Sequence, residues 1–261
     1  MANAAIAGGN LVAAVSATSQ ELLMAASNLL TPHAEERWRS KSGADAFVCD
    51  LGSPKALDTV AVRGVTAGAA ATVRVRVSSS DASGLAGDLY DSSAGPAASF
   101  DADYDAIVAL LAEPVTGRYV RVDIADPGAA YVEAGVAFVA LRWAFTTNFS
   151  YGWQVQWVDR STTQESRGGQ TLTWRDNRYR KLQLDFKFVT AAERYGVVER
   201  IDRDNGLCDS VLVIIDTASA NLARDSILGV SIDVTPVVQP DPVFDGDGPL
   251  FSKSYQIKER L

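Results

Sequence analysis

The segment Val73-Arg74-Val75-Arg76-Val77 alternates strictly between β-branched and charged residues, and no helix satisfies that pattern. A period of two places Val73, Val75 and Val77 on one face and Arg74 and Arg76 on the other, a strand with a dry side and a wet side. Residues 119–124 repeat the device, with Val120, Val122 and Ile124 inward. Short β-branched runs also occur at residues 46–52 and 59–64, and Gly, Pro, Asp and Ser bound them. Residues 131–141 are apolar almost throughout, which predicts a strand buried on both faces. Residues 79–105 are rich in Asp, Ser, Ala and Gly and read as a long surface loop. Several short strands separated by turn signals predict a β-sandwich.

The second half continues mainly in strands. In Leu182-Gln183-Leu184-Asp185-Phe186-Lys187-Phe188 the alternation turns Leu182, Leu184, Phe186 and Phe188 toward a core. Thr190 followed by Glu193 is a capping box. It opens a helix to about Arg203, with Tyr195, Val198 and Ile201 near helical spacing and Asn205-Gly206 as its end. Residues 211–215 and 227–234 read as buried strands, and Pro236, Pro240 and Pro242 end regular structure. Residues 244–250 form a Gly/Asp/Pro loop, and Tyr255-Gln256-Ile257 lies in a final strand. The expected organisation is an N-terminal arm or edge strand over 1–27, a sandwich over 28–143 and a β-rich domain over 144–261.

Of 261 residues, 47% are hydrophobic, enough for a folded core, and the net charge is -8. A field of that sign repels phosphate backbones and argues against nucleic acid as a partner. No run reaches the roughly 18 uninterrupted apolar residues of a membrane span, so no membrane insertion is expected. The apolar N-terminus lacks the basic start of a secretory signal, so synthesis in the cytosol is expected. Cys49 and Cys208 are read as two reduced, half-buried thiols.

Residues able to carry chemistry are few. His33 is the only histidine, and beside Pro32 it reads as a surface or capping residue. Asp101, Asp103 and Asp105 imitate the opening of a calcium loop, but Ala106 and Ala112 stand where that loop needs Gly and Glu. No metal, cofactor or catalytic residue is assigned, and among the carboxylates, Asp245 and Asp247 included, none stands out as an acid/base pair. Arg178, Arg180 and Lys181, with Tyr179 among them, read as a solvated strand face or a salt-bridged contact with a neighbouring subunit rather than a phosphate grip. Trp38 reads as a core anchor rather than a sugar-stacking residue.

Two resemblances follow from these segments. Asn28-Leu29-Leu30, Arg37-Trp38-Arg39-Ser40, residues 47–52 ending Asp-Leu-Gly, the strand at 56–62 and Tyr119-Val120-Arg121-Val122 resemble a discoidin-like, or galactose-binding-like, domain. That resemblance implies a jelly-roll sandwich that often binds carbohydrate through loops at one end; no sugar contacts carry over. Residues 145–261 resemble minor tail, or distal-tail-like, proteins of long-tailed phages. The residues that carry this are Tyr151-Gly152-Trp153, Gly168-Gly169-Gln170-Thr171, the basic step 178–181 before Leu182-Gln183-Leu184-Asp185-Phe186, the 190–203 helix, the 211–216 strand, Ser226-Ile227-Leu228-Gly229 and the final strand. This second resemblance implies a non-enzymatic structural protein of a virion tail tip or baseplate. It would form a ring of six copies, or alternatively three, contacting tail tube and tip hub proteins. The sandwich would be displayed to a host-surface glycan, and the arm and the 236–250 segment would cross between copies. The alternative is a stand-alone glycan-binding protein.

Overall fold

The computed structural model describes residues 3–239, 244–245 and 248–260. The molecule is mainly β, as expected, with a β-sandwich in the first half and one short helix in the second. Two strands of twenty residues organise the sandwich. Ala44–Arg63 pairs antiparallel with Ala106–Ala125 along its whole length, from Ala44 opposite Ala125 to Arg63 opposite Ala106. The register slips between Asp50 and Lys55 and again between Leu57 and Thr59. Gly52 supplies the positive φ (78°) at the first slip, and the Asp50 carboxylate accepts from its amide at 2.8 Å.

The bend folds the sheet over itself. Phe47, Cys49 and Leu51 before it meet Leu57, Val60 and Val62 after it in one core. Thr72–Ser78 and Ala14–Ala17 extend one layer, and Val136–Ala140 and Ser99–Asp101 the other. Trp38 is fully buried in this core, edge-on to Phe47, and its indole N–H donates to the Ser19 carbonyl at 2.9 Å.

A second, seven-stranded sheet runs in the order Arg142–Ala144, Ala5–Gly8, Val211–Ile214, Ser226–Asp233, Phe251–Glu259, Arg178–Val189, Gln154–Asp159. Its Ala7, Leu212, Ile214 and Leu228 pack on the outer face of the sandwich, against Ala61, Val108, Phe138 and Ala140. Val136–Ala140 is therefore covered on both sides, which is why its sequence shows no alternation. The far face of the sheet carries Leu182, Leu184, Phe186, Tyr255 and Ile257 under the helical Val198 and Ile201.

Four local expectations change. Of the expected arm at 1–27, the described residues 3–27 are not free: Ala5–Gly8 lies inside the second sheet and Ala14–Ala17 pairs with Ala44–Arg63. Alanines at positions 4, 5 and 7 let this strand sit fully buried between neighbours, with Ile6 in the core of the second sheet. The loop at 79–105 contains two short strands, Tyr90–Asp91 and Ser99–Asp101. A register slip between Phe186 and Val189 turns Phe188 to solvent and Val189 inward. The capping box at Thr190 and Glu193 is complete, but the turn Arg194–Val198 is π-wound, and the extra residue rotates Tyr195 outward while Val198 and Ile201 stay buried. Of the 236–250 segment, residues 240–243 and 246–247, with Pro240, Pro242 and Asp247, lie outside the described residues; Phe244–Asp245 pairs with Gly248–Pro249.

Candidate functional site

Where the sandwich meets the second sheet, a cleft of about 350 Å³ opens. Ala34, Glu35 and Arg37 line it from the loop after the turn Ala26–Leu30, and Arg63 and Gly64 from the end of the long strand. Asp103, Tyr104 and Asp105 come from the tight turn before Ala106, where Asp105 takes a left-handed conformation (φ 47°). The second sheet contributes Trp157, Asn177, Arg178, Arg180, Glu259 and Arg260. Trp157 stands opposite Arg180 in the pairing of Gln154–Asp159 with Arg178–Val189, so strand register fixes both side chains at the same level.

The aromatic part is built from Trp157, about half exposed, and Tyr104, with ring centroids 6.1 Å apart at 50°. The guanidinium groups of Arg180 and Arg224 lie against the Tyr104 ring at 4.7 and 4.9 Å and hold it in place.

Beneath these rings the charges are ordered and nearly dry. The Arg180 backbone amide donates to the Glu259 carboxylate at 2.9 Å, and its guanidinium forms a forked ion pair with the same group. Arg180 also donates to the carbonyls of Arg224 (2.7 Å) and Ser226 (3.1 Å). Beside it Arg63, 6% exposed, donates to the Ser226 carbonyl (2.8 Å) and hydroxyl (2.7 Å). Burial, and then the nearby positive charge of Arg180, push the Arg63 guanidinium down to about 10.

This arrangement alters the reading of the basic step. Arg178 is solvated and pairs with Asp159 at 2.8 Å, whereas Arg180 is buried in the cleft with its own counter-charge rather than on a solvated face. Lys181 lies outside the cleft, and Tyr179 is covered by Lys258 at 4.8 Å.

The other singled-out residues are dispersed. Asp101 and Asp103 face Arg224 at 3.3 and 3.6 Å. His33 is exposed, and its carbonyl accepts from the Glu36 amide. Cys49 is buried and Cys208 exposed, and both are free; burial pushes the Cys49 thiol up to about 12. Among the described residues, no three His, Cys, Asp or Glu are grouped to hold a metal ion, and no helix is long and apolar enough to cross a membrane.

Sequence reasoning missed Trp157, Tyr104 and Arg63. Trp157 carried one usable signal, an indole in the alternating run Gln154-Val155-Gln156-Trp157. Nothing local marks Arg63 as buried.

No family model and no curated protein matches the chain. Solved structures do. Chitosan-binding module 1 from a chitosanase/glucanase of Paenibacillus sp. IK-5 matches at 19% identity, over 50% of this chain and 98% of that one, with a TM-score of 0.41. The module CpGH89CBM32-6 produced by Clostridium perfringens matches at 15% identity, over 51% and 99%, with a TM-score of 0.38. A fucose binding module of Streptococcus pneumoniae matches at 9% identity, over 51% and 95%, with a TM-score of 0.37. Nothing in these comparisons supports the tail-tip resemblance of residues 145–261. About half of this chain is similar to carbohydrate-binding modules; identities and TM-scores this low carry over neither their ligands nor their binding residues.

Proposed function

We propose that the chain is a non-catalytic glycan-binding protein whose sugar site is the cleft between the sandwich and the second sheet. One observation carries this reading: the half-exposed indole of Trp157 is set at Tyr104 above a floor of charged groups already fixed by ion pairs and hydrogen bonds. A pyranose needs both features. Its C–H faces rest on an aromatic ring, and its hydroxyls are fixed by a few preorganised polar groups. Among the carboxylates lining the cleft, Glu259 is held by Arg180 and Asp103 faces Arg224 rather than standing free at a scissile bond, which favours binding over cleavage.

The test is a glycan array probed with the full chain, followed by titration of each hit with the Trp157→Ala variant. Affinity is expected to fall at least about tenfold, or ~1.4 kcal/mol, with little change in the unfolding midpoint, because Trp157 sits on an edge strand. Retention of no glycan at about millimolar concentration defeats the reading.

A second reading, a tail-tip subunit forming a ring with copies of itself, is favoured by a different feature. The hairpin of Thr162–Glu165 and Thr171–Trp174 is exposed along its whole length and carries Leu172 and Trp174 outward. It adjoins Gln154–Asp159, an edge strand that pairs only with Arg178–Val189 among the described residues. Open edges and exposed apolar hairpins are where strands add across subunits. Sedimentation is expected to give a hexamer, or alternatively a trimer, that a Leu172→Ser, Trp174→Ser double variant reduces to monomers. A monomeric parent protein removes this reading and leaves the first intact.

A further inference from the structure

We propose that the cleft is selective for acidic sugars: the carboxylate of a hexuronate sits over Arg63 and Arg260, with its ring against Trp157 and Tyr104. The inference rests on the glycan reading of this cleft and adds the class of sugar. It starts from Arg63. This side chain is more than nine-tenths buried, lines the cleft, and makes no ion pair with any carboxylate among the described residues. Its guanidinium is held by neutral acceptors only, the Ser226 hydroxyl and the carbonyls of Ser226 and Ala223, and its Nε has no partner. A buried cation without a counter-charge is costly, and it is retained where something supplies that charge from outside.

Arg260 provides an independent sign. Its terminal nitrogen donates to the Cys208 carbonyl, but its Nε is likewise buried and unpartnered, and it lines the same cleft. Two arginines, each with one unsatisfied donor, therefore line one cavity. Other largely buried arginines have a carboxylate: Arg142 reaches Asp58, Arg180 reaches Glu259, and Arg76, whose Nε is also unpartnered, pairs with Asp123.

Charge pairing then selects the ligand. Arg37, Arg178 and Arg180 each have a carboxylate partner, in Glu133, Asp159 and Glu259, which leaves Arg63 as the buried guanidinium of the cleft without one. One uncompensated buried cation suits a monoanion better than a phosphate dianion. The planar fork of a guanidinium matches a carboxylate, and the neighbouring rings require that the carboxylate be carried on a flat-faced body. Burial first, and then Arg180, lower the affinity of Arg63 for its own proton, and the Glu259 charge only partly offsets them.

Calorimetric titration of the full chain with oligogalacturonate, oligomannuronate and hyaluronate fragments, each beside its carboxyl-reduced neutral form, tests the inference. At least one uronate is expected to bind about tenfold more tightly than its reduced form. That advantage should shrink between about 0.05 and 0.5 M salt as screening grows. Arg63→Met should abolish the difference between the uronate and its reduced form. The uronate-to-neutral comparison on the unaltered protein stands even if that variant does not fold. Equal binding of both forms overturns the acidic-sugar inference and leaves the glycan reading standing. Binding of inorganic sulfate as tight as that of the uronates also overturns it, by making the cleft a plain anion site. Absence of binding by every sugar overturns both.

Discussion

Phe138→Ala is expected to destabilise the protein by about 3–5 kcal/mol, the range for removing a fully buried aromatic ring. Phe138 is 1% exposed and lies opposite Ala61 in the strand register. Its ring is the largest side chain in the apolar layer joining the sandwich to the second sheet, where most neighbours are Ala, Val or Leu. Facing β-layers of short side chains on fixed strands have little freedom to collapse into the space, so the cavity cost adds to the transfer cost. For a chain of this size the melting midpoint should fall by roughly 10 °C. Calorimetry reads the result, and its shape matters as much as the midpoint. If this layer couples the two halves, the variant should melt over a broader range or in two steps, since each half keeps a core of its own. A loss below about 1 kcal/mol with an unchanged single transition would show that the two sheets do not meet through Phe138.

How much of this was legible depended on how local each signal was. Alternation in Val73-Arg74-Val75 and in Leu182-Gln183-Leu184 reports burial directly, and the structure buries Val75, Leu182 and Leu184. The apolar run at 131–141 announced a doubly covered strand, which the structure confines to Val136–Ala140, and the Thr190/Glu193 spacing announced a helix cap. Periodicity failed wherever the backbone slipped by one residue: Phe188 follows an irregular pairing and Tyr195 sits in a π-wound turn. It also misjudged Arg76, which reads as solvent-facing but is covered by the 83–87 loop, where it donates to the Leu85 carbonyl and pairs with Asp123. The cleft was the least legible feature. Its residues come from six separated stretches, and Arg63 and Arg180 look like any strand-end cation until the second sheet closes over them. Burial of a long polar side chain is a property of the tertiary fold, and no window of sequence contains it.

Glu259→Gln carries the other large expected effect, and it links stability to the cleft. Glu259 and Arg180 form a pair whose side chains are 14% and 4% exposed, so solvent screens their attraction little. The amide keeps the shape and one acceptor of the carboxylate but removes its charge. It strands Arg180 next to Arg63, which already lacks a carboxylate partner. The expected loss is about 3 kcal/mol, at the lower end for breaking one side of a buried pair. Asp159→Asn is the control. It breaks the Arg178–Asp159 pair, whose side chains are 67% and 44% exposed, and should cost less than about 1 kcal/mol. Binding is expected to move the opposite way. With Glu259 neutralised, Arg180 joins Arg63 as a buried guanidinium without a carboxylate partner, so a uronate should bind the folded variant more tightly than the parent. Added uronate should then raise the variant's melting midpoint by more than it raises the parent's, because a ligand that binds only the folded state stabilises it in proportion to its affinity. Thermal melts with and without ligand read both signs together. Equal ligand shifts in the two proteins would show that the anion does not feel the Glu259 carboxylate, and a cost matching the Asp159→Asn control would show that the Arg180 pair is solvated after all.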